Sequence, residues 1–92
     1  MDGEPFDSAK TRELIRSILE DGVLVFSKHA HEEMEKDGLL DVDARNVLRG
    51  GVVRFPEMVK GTWRYRVETR RIAVVVAFRS ETELVVVTAW RF

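Results

Sequence analysis

Two arginines and one histidine carry the clearest chemical potential in this chain. Between Gly61 and Arg71 the sequence reads GTWRYRVETRR. Successive side chains on a strand point to opposite faces, so Trp63, Tyr65 and Val67 share one face while Arg64 and Arg66 share the other. Paired guanidinium groups have planar forks that match phosphate better than the point charge of lysine. The competing use of the pair is cross-strand bonding to acids such as Glu68 or to helix carboxylates. His29 follows Ser27 by two positions in FSKHAHEEMEKDG, and an unperturbed imidazole, titrating at about pH 6.5, can give or take a proton near neutrality. With Ser27 as a helix cap, Lys28 and His29 fall in the first turn, where free backbone N–H groups favour an anion. A structural hydrogen-bonding histidine is the alternative.

Other residues extend or limit this set. Arg71 follows Arg70 at a turn, and Thr88, Trp90 and Arg91 sit on the last strand pattern. Thr88 and Trp90 share a face there, offering a hydroxyl and a stacking surface, and Arg91 projects from the opposite face as a third cation. Their ordinary uses are a β-branched strand residue, a core-edge aromatic and a solvated charge. Tyr65, with Trp63 and Val67, reads as core. His31 lies about 200 degrees around the helix from His29, so the two imidazoles do not converge. HEEME lacks the second histidine of an HExxH site, and no metal or cofactor is expected.

Composition narrows the class. The 92 residues fit one small domain, and the absence of cysteine removes disulfides, thiol nucleophiles and thiolate metal sites. No apolar run has the length of a membrane span, and MDGEPFDSAK lacks the features of a signal peptide, so a cytoplasmic protein is expected. The net charge of −1 hides an asymmetry. Residues 1–50 hold 7 basic and 12 acidic side chains, and residues 51–92 hold 8 basic and 4 acidic ones. The C-terminal half is therefore expected to face an anion, unless the helices simply carry solvated carboxylates.

The elements that must position these residues divide at about the same place. Asp7 and Ser8 precede a helical repeat of Leu14, Ile15, Ile18 and Leu19 that ends at Gly22. Val23 to Phe26 reads as a short strand, and Ser27 opens a second helix closed by Gly38. Asp41 is a candidate cap for a third helix, which buries Ala44, Val47 and Leu48 and stops at Gly50-Gly51. Strands are predicted near 52–56, 62–69, 71–79 and 83–91, the last three as an antiparallel meander with 71–79 at its centre. The valine-rich 83–91 segment is a possible open edge that a partner would cover. The predicted fold class is α+β, with helices packed on one face of a curved, mainly antiparallel sheet of about four to five strands.

FSKHAHEEMEKDGLLDVDARNVLRGGVV, followed by GTWRYRV and an apolar hairpin, resembles a family of small bacterial domains of unknown function. That family opens on a His-Ala helix and is grouped with BrnT-type and RelE-type toxins. The matching features are His29-Ala30, Met34, the Gly38 stop, the Asp43 to Leu48 helix and the arginine-bearing strand, covering roughly Val25 to Arg91. The resemblance implies a RelE/barnase-like fold and the toxin of a type II toxin–antitoxin pair, acting as a metal-independent endoribonuclease. His29, Arg64 and Arg66 are then the expected catalytic residues, and Lys28, Arg71, Thr88, Trp90 and Arg91 the expected substrate-binding ones. RNA and a cognate antitoxin carrying a DNA-binding domain are the expected partners. A non-catalytic module of the same fold, binding nucleic acid or protein through its basic face, is the alternative.

Overall fold

The computed structural model describes residues 1–92. Helix α1 spans Ser8–Asp21, and the Asp7 side chain caps it by accepting the Lys10 N–H at 2.8 Å. It ends where Gly22 N–H bonds to Ile18 O, and a Cβ at Gly22 would lie 2.4 Å from the Thr82 carbonyl oxygen. That approach admits only glycine. Strand β1, Val23–Phe26, leads directly into α2, Lys28–Lys36, and then α3, Asp41–Gly50. Asp41 is the first helical residue of α3 and not its cap, because Asp43 lies where its carboxylate can accept the Leu40 N–H at 2.8 Å.

The remaining strands are β2 (Val52–Val53), β3 (Glu57–Val59), β4 (Thr62–Glu68), β5 (Ile72–Phe78) and β6 (Glu83–Arg91). They form one α+β architecture of three helices and a six-stranded mixed sheet, ordered β1-β6-β5-β4-β2, with β3 also pairing β4. The predicted 52–56 strand is thus two short ones. Pro56 has no N–H to donate and interrupts the edge, and Lys60 and Gly61, both at positive φ, turn β3 back onto β4. β6 is not an open edge, since β1 pairs with it in parallel from Val23↔Glu83 to Phe26↔Val86. No helix is long and apolar enough to cross a membrane.

The helices cover one face of this sheet. Tyr65 and Val67 of β4, Val74, Val76 and Phe78 of β5, and Leu84, Val86 and Ala89 of β6 join Ile15, Ile18, Ala30, Met34 and Leu48 in one core. Alternation then puts Arg64, Arg66, Glu68 and Val75 on the open face. On β6 alternation alone would fail, since Leu84 and Val86 face the core and Thr88 and Trp90 have the same parity. A bulge resolves this: Val75 pairs with Thr88 and Val76 with Val86, leaving Val87 as an extra residue. Thr88 and Trp90 are thereby turned to the open face. Ser27 holds the bulge by donating its hydroxyl to Val87 O at 3.0 Å, while the same oxygen caps α2 by accepting the Ala30 N–H.

Candidate nucleic-acid interface

β4 and β6 present their polar faces across Val75 of β5, while the broken edge between β2 and β3 walls the far side. The result is a groove of ≈ 510 Å³ lined by Arg54, Arg64, Arg66, Glu68, Thr88 and Trp90, with Phe55, Glu57, Val59 and Val75 completing it. Three arginines face two glutamates, giving the groove a net charge of +1. Arg64, Arg66, Thr88 and Trp90, the strand residues picked from the sequence, come together here.

Glu68 organises two of the cations. Its Oε1 accepts from Arg54 Nε at 2.6 Å, and its Oε2 accepts from Arg66 Nε at 2.7 Å. Both bonds run through Nε, so the terminal NH2 groups of both guanidiniums remain for another acceptor. The hydrogen bond from Arg66, followed by that from Arg54, holds the Glu68 carboxyl below its ordinary 4.5. This glutamate stays ionised at neutral pH and orients arginines; it is poorly matched to taking a proton from a substrate hydroxyl. Arg66 also lies over the rings of Trp90, at 5.2 Å, and Phe92, at 5.9 Å. Two cation–π contacts and one charge-assisted bond hold it in place.

Arg64 is different. It forms no ion pair, and its Nε is buried without any hydrogen-bond partner. Glu57 is opposite it in register but leaves it unpaired. No protein acceptor takes its terminal NH2 groups either, and in the groove these are available to an incoming anion.

The other sequence candidates lie elsewhere. Arg71 lines an adjoining cavity of ≈ 670 Å³ with Arg70, which shares Arg54 and Glu68 with the groove. Arg91 is on the helix side, where its backbone N–H donates to Asp37 Oδ2 at 2.8 Å and its Nε to Asp37 O at 3.2 Å. There it neutralises the C-terminal end of α2, so it is not a third cation beside Arg64 and Arg66. Lys28 and His29 are exposed in the first turn of α2 and do not line the groove. His31 packs against the Phe26 ring at 5.6 Å. Tyr65 is fully buried; its hydroxyl donates to Glu4 Oε2 at 2.9 Å and accepts the Phe6 N–H at 3.1 Å.

Sequence reading missed Arg54 and Phe55 as groove residues, because 52–56 had the look of an ordinary strand. The Lys60-Gly61 pair was the available signal, since a glycine in a two-residue connection marks a hairpin and folds the preceding segment beside β4. No curated protein and no solved structure matches the chain. A family model does match, over residues 26–91, a span that holds α2, α3 and every strand from β2 to β6, and so the whole groove. The chain belongs to the family described as Domain of unknown function (DUF4258).

Proposed function

We propose that this chain is a toxin-type RNA-acting domain whose open sheet face grips the phosphate backbone of RNA. The observation that carries the reading is the convergence of Arg54, Arg64 and Arg66 on one groove, two of them aimed by Glu68 and the third without a partner. Phosphate offers several acceptor oxygens to such forks, and arginine is suited to bidentate contacts of this kind. The resemblance to BrnT-type and RelE-type toxins, together with helices on one face and a basic open sheet on the other, supports a RelE/barnase-like ribonuclease. In that reading the arginines stabilise charge building on the scissile phosphate, without a metal. His29 lies on helix α2, outside the groove, so its proton-transfer role is the part of this reading that the His29→Ala variant decides. An antitoxin would mask the arginines with carboxylates.

Binding without turnover is the second reading, and one observation favours it. The groove holds no histidine, and its better-held carboxylate is kept ionised by two arginines. Inducing the chain alone, beside His29→Ala and Arg64→Ala, separates the two. Growth arrest with discrete RNA fragments, lost in both variants, is the expected result. Cleavage unaffected by His29→Ala removes the histidine from the chemistry, and intact RNA with well-folded protein leaves the binding module.

A further inference from the structure

Phe55 is the most exposed large apolar side chain of the molecule, at 97 % of its accessible surface. It sits in the break between β2 and β3, next to Pro56, whose ring stiffens the local backbone. Phe55 and Arg54 line two cavities at once. One is the arginine groove; the other is a half-open pocket of ≈ 310 Å³ lined also by Asp7, Ser8, Val53 and Pro56. A cationic groove and a part-apolar pocket therefore share an aromatic wall and an arginine.

We infer that the pocket beside Phe55 is a nucleobase subsite: a base of single-stranded RNA stacks on the Phe55 ring while its phosphate lies among Arg54, Arg64 and Arg66. The inference rests on the RNA reading of the groove. Its size is that of a small-ligand site, and an aromatic face flanked by cations suits a base joined to a phosphate. A duplex hides its base faces within the stack, so this arrangement takes unpaired RNA. The pocket also offers the base edge a polar contact. Asp7 Oδ1 is occupied by the Lys10 N–H, whereas Oδ2 is open to a base N–H, with the Ser8 hydroxyl next to it in sequence. A protein strand is the rival occupant, because Val52, Phe55 and Met58 are all exposed along this edge. The unpaired Arg64 and the net positive groove favour the polyanion.

The test measures binding of the full chain to two fluorescein-labelled oligomers of equal length. One is a single-stranded 2′-O-methyl RNA, which cannot attack its own phosphate; the other carries the same backbone without bases. Phe55→Ala is expected to weaken binding of the first by roughly tenfold, Phe55→Trp to preserve it, and neither to change binding of the second. Because the ring is exposed, both variants should fold. An equal effect of Phe55→Ala on both oligomers, or none on either, overturns the base subsite while leaving the phosphate groove standing. Failure of the unaltered chain to bind either oligomer overturns the RNA reading itself, and leaves the Val52, Phe55 and Met58 edge to a protein.

Discussion

Two guanidiniums bonded through Nε to one carboxylate are fixed in plane yet keep their terminal NH2 groups, and Glu68 creates this state for Arg54 and Arg66. Because its folded-state pKa is lowered, its contribution is full above the ordinary 4.5 and is lost as pH falls through the folded value. Thermal unfolding followed against pH should therefore show stability falling on the acid side of 4.5, with a shallower fall in Glu68→Gln. Tyr65 acts in the opposite direction. Burial, opposed by the Phe6 N–H and reinforced by Glu4, pushes its phenol up to about 12 from 10.0. Since the neutral form is the one the fold holds, stability is complete below about pH 10 and declines as pH rises toward about 12. Tyr65→Phe should flatten that alkaline loss and cost about 1–3 kcal/mol at neutral pH, by stranding the Phe6 N–H, as read by denaturant unfolding. Strand alternation made the Arg64/Arg66 pair and the buried Tyr65 legible in the sequence. The sequence offered Glu68 as an acid partner for the pair, and Arg66 takes it; that Arg64 would go without one was not legible, because Arg54 fills the second Glu68 oxygen from across the edge.

Ser27 links two elements through one oxygen, capping α2 and anchoring the Val87 bulge of β6. Losing both bonds in Ser27→Ala should destabilise the fold by about 1–2 kcal/mol. Ser27→Asp can still cap but has no proton to donate to Val87 O, so it should recover most of the stability while leaving the bulge loose. RNA binding by the two variants should then be weakened alike, because Thr88 and Trp90 lose their aim, and a fluorescence change of the groove tryptophan would report it. Equal RNA binding by Ser27→Asp and the unaltered chain would separate the bulge from the site. The starts of α1 and α2 and the meander of β4, β5 and β6 were readable from caps, periodicity and β-branched runs, whereas α3 takes Leu40 and not Asp41 as its cap. The bulge was not, since nothing in VVVTAW marks which residue is extra. Nor was the parallel pairing of β1 with β6, a contact across 60 positions of sequence that local signals do not encode.

At the scale of the molecule, the sheet divides the chemistry. Three helices hold half of the 16 carboxylates on one side, and the open face collects Arg54, Arg64 and Arg66 from the C-terminal half, where basic residues outnumber acidic ones. That asymmetry was visible in the sequence, whereas the separation of His29 from the arginines required the fold. Polyanion binding by such a face must release counterions, with log K falling by about 0.7 per phosphate contact for each unit of log salt on single strands. The most direct measurement is the salt dependence of single-stranded RNA binding by the unaltered chain and by Arg64→Ala. Three arginine contacts predict a slope of about −2 or steeper, reduced by about 0.7 in the variant. A salt-independent affinity, or an unchanged slope in Arg64→Ala, would contradict the assignment of this face to RNA phosphate.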